Sequence, residues 1–318
     1  MSHLDRPATT EDVVWIYRAL LEREPESEAV VQNMAGAPLG ELILSFLGSE
    51  ERARRRVGLL NERYRKAWPG GGVDIGASPE TLKALFDTAR RTWSKLGESE
   101  PYWSVMTDPA YRVSVLDEGA QAHFFETGAE DVAAFTEACA RNGIALKREG
   151  WVVDFGCGVG RLGVHLARLF DGYLGVDISP AHLAEAGVRL AAVTDLAEFR
   201  LLDDFLGGDE TCDCVFSVLV LQHNAPPVMA ELLRVLIARL RPGGVGYIQI
   251  PHVLHGYSYS AEAHLADPLP VGEMEMHALP QAEVFRLLDE GGARLIEALA
   301  DGRPGPAGLS TTYLFVKT

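Results

Sequence analysis

The chain has 318 residues, of which 47% are hydrophobic and 23% charged, and 45 acidic residues against 29 basic ones give a net charge of −16. This composition excludes wholesale disorder, and four cysteines are too few for a disulfide framework in a chain of this length. The negative charge argues against a nucleic-acid partner. Because neither a signal peptide nor an apolar run long enough to cross a bilayer is visible, we expect a cytoplasmic protein without a membrane span.

The first 68 residues are predicted to form a helical module. A capped helix starts at Thr9-Thr10, a second apolar stretch covers Leu39–Leu47, and a third helix rich in arginine is expected over Glu50–Lys66. Pro69-Gly70-Gly71-Gly72 then breaks the helical pattern and is interpreted as a hinge between modules.

Residues 69–150 are interpreted as this hinge followed by further helices. In residues 151–318 the hydrophobic pattern changes to short apolar runs separated by helical stretches. Such runs are typical of buried parallel strands, and the last two, joined by a Gly/Pro-rich loop, are expected to pair antiparallel. The runs are Trp151–Asp154, Tyr173–Val176, Phe199–Leu202, Cys214–Leu219, Val245–Ile250, Arg294–Leu299 and Thr311–Lys317. The sequence therefore predicts an α/β fold, a Rossmann-like doubly wound sheet of seven strands with an antiparallel last strand, preceded by an all-α N-terminal region.

The strongest local pattern is a glycine loop, Asp154-Phe155-Gly156-Cys157-Gly158-Val159-Gly160, which follows the first predicted strand and opens a predicted helix. Its alternate glycines allow a sharp turn and leave the main chain bare, while the helix N-terminus beyond offers free N–H groups to a ligand. Gly158, Gly160 and Gly163 also fit the dinucleotide pattern G-x-G-x-x-G, so the glycines alone do not decide which ligand binds.

Acidic residues at the ends of the first three strands narrow the choice of ligand. Asp154 would repel a diphosphate and attract an ammonium group. Asp177 ends the second strand, 21 residues after Gly156, where a carboxylate suits the hydroxyls of a ribose. Asp203 and Asp204 end the third strand and are expected to contact an adenine edge. An amine, a ribose and a base without a phosphate describe S-adenosylmethionine.

Residues 151–318 accordingly resemble the class I S-adenosylmethionine-dependent methyltransferases. The glycine loop matches the family's first motif, Asp177-Ile178 matches its ribose acid and the apolar residue that packs on adenine, and Arg241-Pro242-Gly243-Gly244 is similar to the turn before its fifth strand. The resemblance implies S-adenosylmethionine as cofactor and helices before the sheet that cover an acceptor pocket, although their aromatic residues suit a buried core equally well. The predicted cofactor-binding residues are Asp154, Gly156, Cys157, Gly158, Gly160, Arg161, Asp177, Ile178, Asp203, Asp204, Leu219 and Gln222.

The candidate general base is His223, in the segment Leu221-Gln222-His223-Asn224 that follows the fourth predicted strand. This segment lies next to the switch point of a doubly wound sheet, where an acceptor would bind. His223 is interpreted either as the base that takes the proton of the acceptor or as a structural residue that orients the loop, and Gln222 is expected to help frame the cofactor.

Histidines and tyrosines also cluster after the fifth predicted strand. They suit the binding of a polyhydroxylated acceptor by hydrogen bonds and stacking, or the binding of a metal ion. Their spacing fits no standard ligand pattern, and a hard ion would prefer more carboxylates, so we expect no metal site. The residues are Gln249, His252, His255, Tyr257, Tyr259, His264 and His277.

The first 55 residues resemble a second family. Tyr17–Glu26 and Phe46–Glu50 are similar to phycobilisome-linker-type modules, which occur in bacterial proteins that assemble surface glycans, although the usual Gly and Trp between the helices are missing. The resemblance implies an element for docking or homodimer formation, and a sugar or glycan-precursor hydroxyl as acceptor in polysaccharide biosynthesis. The alternatives are a small-molecule (natural-product) methyltransferase and a non-catalytic cofactor-binding scaffold protein.

Overall fold

The computed structural model divides into two compact units, an N-terminal unit of residues 1–68 and a C-terminal unit of residues 69–318. The helix expected over Glu50–Lys66 lies, apart from Glu51, outside the described residues, and so does Pro69-Gly70 of the expected hinge. The structure describes residues 4, 6–21, 23–49, 51 and 71–318.

The described residues of the N-terminal unit contain the helices α1 (Thr10–Leu21), α2 (Glu28–Met34) and α3 (Leu39–Leu47). Thr9 and Asp12 cap α1 reciprocally, since the Asp12 amide donates to Oγ1 of Thr9 at 3.1 Å and the Thr9 amide donates to Oδ2 of Asp12 at 2.7 Å. The apolar faces of the helices form one small core of their own. Its buried members are Ala8, Val13, Ile16, Tyr17, Leu21, Val31, Leu39 and Phe46.

The C-terminal unit contains the predicted seven-stranded sheet, with the strand order β3-β2-β1-β4-β5-β7-β6. Strands β1 to β5 are parallel, and β7 runs antiparallel to both of its neighbours, which confirms the reversed strand expected from the sequence. The strands are β1 (Trp151–Phe155), β2 (Gly172–Asp177), β3 (Ala197–Leu201), β4 (Cys212–Ser217), β5 (Leu240–Leu254), β6 (Ala293–Asp301) and β7 (Gly308–Lys317).

Helices cover both faces of this sheet. They are α4 (Pro79–Ser99), α5 (Glu118–Arg141), α6 (Gly163–Leu166), α7 (Pro180–Leu190), α8 (Leu202–Gly207), α9 (Pro226–Arg239), α10 (Ala261–Ala266) and α11 (Gln281–Glu290). No helix in the described part of the chain is both long and apolar enough to span a membrane.

The core lies in two layers because successive residues of a strand point to opposite faces. Val153 belongs to the cluster that α9 and α11 cover, whereas Val152 belongs to the cluster under α5. In that second cluster the ring of Phe135 lies 5.5 Å from Phe216 and 5.1 Å from Tyr247. The sheet is therefore buried on both faces, as its near-continuous apolar strands indicate.

Two boundaries differ from the sequence expectation. The helix before the fifth strand ends at Arg239, and β5 begins at Leu240, so that Gly243-Gly244 lies inside the strand instead of closing the helix. The third strand ends at Leu201, and α8 begins at Leu202. Asp203 and Asp204 consequently lie in the first turn of a helix, where acidic residues are favoured by the helix dipole.

Candidate active site

A cavity of about 810 Å³ opens at the carboxyl ends of β1 and β4. These two strands are neighbours in the sheet. From β1 the chain builds the sheet outwards to β3 on one side, and from β4 it builds the sheet outwards on the other side. The cavity therefore lies at the switch point of the sheet. Seven of the twelve residues predicted to bind the cofactor line it: Gly156, Cys157, Gly158, Arg161, Asp177, Ile178 and Leu219.

The glycine loop forms one wall of this cavity with bare main chain. Gly156, Gly158 and Gly160 have φ values of +74°, +55° and +84°, which residues other than glycine rarely adopt. A Cβ atom at Gly156 would approach a methyl group of Val220 to 2.3 Å, and one at Gly158 would approach Val105 to 2.6 Å. The loop therefore tolerates no side chain at these two positions.

Asp177 connects the loop to the cavity. Its Oδ2 accepts a hydrogen bond from the Gly158 amide at 2.9 Å, and its Oδ1 accepts one from the Ser179 amide at 2.9 Å. Oδ2 keeps a second lone pair, so the side chain can still accept from a ribose hydroxyl. His182 supports this arrangement, with Nδ1 3.4 Å from Asp177 and Nε2 3.0 Å from Oγ of Ser104.

Asp154 lies beneath the loop and does not line the cavity. It is 1% exposed, and its Oδ2 accepts a hydrogen bond from the Tyr173 hydroxyl at 2.9 Å. Its Oδ1 has no hydrogen-bond partner among the described residues. Burial raises the pKa of Asp154 to about 7. An orphaned carboxylate oxygen at this depth fits a cationic partner, and the predicted contact with an ammonium group stays a prediction.

Arg161 is a buried cation on the cavity wall. Its side chain is 4% exposed, and Nη2 pairs with Asp131 at 2.7 Å. Nε is buried and has no partner among the described residues, although a guanidinium group normally uses this donor. A bare loop, a carboxylate next to it and a free guanidinium donor fit an adenosyl amino acid, whose tail carries one positive and one negative group.

The remaining predicted cofactor residues lie away from the cavity. Adenine contacts were expected from Asp203 and Asp204, but it is the preceding residue, Leu202, that lines the cavity. Asp203 instead pairs with Arg90 at 2.5 Å, with 63% of its side chain exposed. The five predicted residues that do not line the cavity are Asp154, Gly160, Asp203, Asp204 and Gln222.

His223 lies on the opposite wall, in a short 3₁₀ turn (Leu221–His223) after β4. Its Nδ1 is 2.7 Å from the carbonyl oxygen of Glu275, which only accepts, so Nδ1 carries the proton and Nε2 the lone pair. The side-chain amide of Gln222 donates to Nε2 at 3.2 Å. Burial lowers the pKa of His223 to about 4, so the imidazole is neutral at pH 7.

A chain of amides holds this wall in place. Leu219 has φ +63°, an unusual value for a residue with a branched side chain. Its amide donates to Oε1 of Gln249 at 3.0 Å, and Nε2 of Gln249 donates to Gln222 at 3.3 Å. Gln222 therefore connects β5 to His223 instead of lining the cavity.

A small second cavity adjoins the first. Trp93 and His223 line both cavities, and their rings lie 5.1 Å apart. His264 and Glu275 also line the second cavity. His223 can thus be reached from both cavities.

Several cavity residues were missed by the sequence analysis. They come from segments without a recognisable motif. The one signal available in the sequence was the helix start at Ser179-Pro180, because the Ser179 cap fixes the position of His182 in the first turn of α7. The aromatic residues Tyr102, Tyr111 and Phe124 are buried against each other, in agreement with the core alternative. The missed cavity residues include Trp93, Ser104, Val105 and His182.

Comparison with known proteins identifies the domain that contains this site. Residues 153–245 match the family model of a methyltransferase domain. A curated relative, the ubiquinone biosynthesis O-methyltransferase of Methylobacterium sp. (strain 4-46), is 34% identical over 155 residues, which cover 44% of this chain. The match spans 58% of that relative's length.

Two solved structures share the fold. The 1,6-didemethyltoxoflavin-N1-methyltransferase of Burkholderia thailandensis, with bound S-adenosylhomocysteine (SAH), has a TM-score of 0.50 and 18% identity over 78% of this chain and 94% of that chain. The magnesium protoporphyrin IX methyltransferase of Synechocystis PCC 6803, with bound SAH, has a TM-score of 0.51 and 16% identity over 73% of this chain and 100% of that chain.

The family match places a methyltransferase domain in residues 153–245, and the fold around it is the one shared by methyltransferases that use S-adenosylmethionine as cofactor. The resemblance of the N-terminal unit to phycobilisome-linker-type modules stays a prediction.

Proposed function

We propose that the protein is an O-methyltransferase that methylates a hydroxyl group of a small-molecule acceptor, with His223 as the general base. The observation that carries the proposal is the position of His223, which lines both the cavity next to the glycine loop and the adjoining cavity. An acceptor held next to His223 would lie between this base and a cofactor bound along the glycine loop.

The state of His223 supports this role. With Nδ1–H held by the carbonyl of Glu275, the lone pair of the ring belongs to Nε2, which is the nitrogen that can take a proton. Bound S-adenosylmethionine supplies a methyl group that is already activated on a sulfonium. The acceptor oxygen gains this methyl group as the bond from carbon to sulfur breaks, and it gives its proton to Nε2, where the hydroxyl would replace the Gln222 amide as hydrogen-bond partner.

Positioning supplies the rest of the rate enhancement. Orientation of two reactants within a closed site is worth ~7–11 kcal/mol of the barrier. Trp93, whose ring lies against His223 and lines both cavities, provides an apolar surface for the acceptor between them. The name of the curated relative, a ubiquinone biosynthesis O-methyltransferase, also supports a hydroxyl acceptor.

The experiment is methyl transfer from labelled S-adenosylmethionine by the purified full chain. Acceptors are supplied as separate pools of small phenols and alcohols, sugar nucleotides, lipid-linked glycan precursors and small acids. We expect label in the small-hydroxyl pool, and mass spectrometry of the product locates it on oxygen. Label in the sugar pools would favour the glycan acceptor predicted from the N-terminal unit. SAH binding without transfer to any pool would favour the scaffold alternative.

A further inference from the structure

Three side chains converge at the edge of the second cavity: His264 in α10, and Glu275 and His277 in the segment between α10 and α11. One ligand atom from each lies within 4.8 Å of the others. Oε2 of Glu275 is 3.6 Å from Nε2 of His264 and 2.8 Å from Nε2 of His277. Ligand atoms about 2.0–2.1 Å from a tetrahedral ion are about 3.3 Å apart, so small side-chain movements bring all three into coordinating positions.

We propose that His264, Glu275 and His277 form a binding site for a first-row divalent cation, with Zn²⁺ as the reference ion. Two imidazole nitrogens and one carboxylate are a donor set for Zn²⁺ and related ions, whereas Mg²⁺ and Ca²⁺ prefer oxygen donors only. In the chain without metal, Nε2–H of His277 donates to Glu275, and the ion replaces that proton.

The surroundings hold these ligands as a metal site requires. The Tyr257 hydroxyl is 2.9 Å from Nδ1 of His277 and can accept from it when Nε2 binds the ion. The His277 amide donates to the carbonyl of Gln222 at 2.7 Å, and the carbonyl of Glu275 accepts from His223. The backbone of both ligands is therefore fixed to the turn after β4.

A buried hydroxyl next to the cluster provides an independent observation. Tyr259 is 6% exposed, and its hydroxyl has no hydrogen-bond partner among the described residues. Its ring lies 5.5 Å from that of His264 and 5.3 Å from that of His277. A water molecule on the ion would give this hydroxyl the partner that burial otherwise denies it.

The site would be open to the acceptor. His264 and Glu275 line the second cavity together with His223, whereas the cluster does not line the cavity next to the glycine loop. Three protein ligands leave a fourth position for water or for an oxygen atom of a ligand. This inference goes beyond the proposed methyl transfer, because metal binding does not depend on it.

The experiment is a titration of the untagged, chelator-treated full chain with ZnSO₄ by calorimetry and with Co²⁺ by visible absorption. We expect one saturable site per chain, with the absorption of a Co²⁺ ion bound to nitrogen and oxygen ligands. His264→Ala and the nearly isosteric Glu275→Gln should each weaken Zn²⁺ binding at least about tenfold. His123→Ala, which removes an exposed histidine of α5, should bind Zn²⁺ as the unmodified chain does.

Calorimetry with SAH serves as the control for folding, since neither His264 nor Glu275 lines the glycine-loop cavity. Unchanged SAH affinity with weakened Zn²⁺ affinity supports the site. The absence of saturable binding, or equal Zn²⁺ affinity in Glu275→Gln, His264→Ala and the unmodified chain, overturns it. Failure of methyl transfer with intact Zn²⁺ binding would count against the proposed function alone.

Discussion

At the scale of single residues, His223 is where the proposed chemistry takes place. We expect His223→Gln to lower kcat by ~10²–10⁴-fold, because the amide cannot take the proton of the acceptor hydroxyl. The affinity for SAH should change little, since the bare glycine loop and Asp177 remain. Steady-state kinetics and calorimetry measure the two effects, with His123→Ala as the matched histidine control. Unchanged turnover in His223→Gln would assign the residue to the structural role that the sequence left open.

Asp154 predicts a specific dependence of stability on pH. Its pKa is raised to about 7 by burial, so between pH 4 and pH 7 the folded chain holds a proton that the unfolded chain releases. The contribution of this group to the free energy of unfolding is therefore lost as the pH rises. As the pH rises from 5 to 8, the free energy of unfolding of the neutral variant Asp154→Asn should increase relative to that of the unmodified chain by up to about 3 kcal/mol, as measured by denaturant titration. Parallel stability curves for the two chains would rule out this titration.

The same variant tests the predicted contact with the cofactor. If the free Oδ1 of Asp154 faces the ammonium group of the ligand, Asp154→Asn replaces a charged acceptor by a neutral one. We expect the SAH affinity at pH 8 to fall about tenfold, which corresponds to about 1.4 kcal/mol. Equal affinity would assign Asp154 to support of the loop through Tyr173.

The predicted residues that line the cavity are those whose position is local in sequence. The glycine loop, Asp177 and His223 each lie at or just after a strand end, and parallel strands bring their ends together, whereas the predicted roles of these residues stay predictions. Asp203 and Asp204 were displaced from the cavity because β3 ends at Leu201 and α8 turns their side chains outward. Trp93 and Ser104 reach the cavity only through tertiary packing, which no spacing in the sequence reveals.

At the scale of elements, α5 packs so closely on the glycine loop that one glycine is required. A Cβ atom at Gly128 would approach the carbonyl oxygen of Arg161 to 2.3 Å. We therefore expect Gly128→Ala to destabilise the fold by about 1–3 kcal/mol, although alanine is the better helix former. Denaturant titration with circular dichroism measures the change.

Gly119 provides the matched control for this prediction because it lies in the same helix. A Cβ atom there would meet Oδ1 of Asp117 at 3.4 Å, which is an ordinary contact. Gly119→Ala should be neutral or stabilising by up to about 1 kcal/mol. Equal effects of the two substitutions would contradict the close packing of α5 on the loop.

Element prediction was accurate for strands and weaker for short helices and boundaries. The seven apolar runs each contain the centre of a real strand, because burial on both faces leaves a strong signal. Helix α2 was not predicted from the sequence because only Val31 of its seven residues is buried, which gives no apolar periodicity. The start of β5 was placed late because Pro242-Gly243-Gly244 reads as a turn, although these residues continue the strand.

At the scale of the whole molecule, the described residues that line the cavity, from Trp93 to Leu232, all belong to the C-terminal unit. A chain that begins at Gly71 should therefore bind SAH within about threefold of the full chain, because compact units of this size fold independently. Calorimetry of both chains, with circular dichroism to confirm folding, makes the comparison. A folded fragment without SAH affinity would show that the N-terminal unit contributes to the site.

The most direct measurement is calorimetric titration of the full chain with SAH and, in a separate cell, with NADH. The cavity pairs a bare loop with a carboxylate suited to ribose, and a second carboxylate is buried beneath that loop, an arrangement that suits a cationic amino-acid tail and disfavours a diphosphate. We expect one saturable site for SAH and no measurable binding of NADH. Saturable NADH binding without SAH binding would contradict the assignment of this cavity and, with it, the proposed methyl transfer.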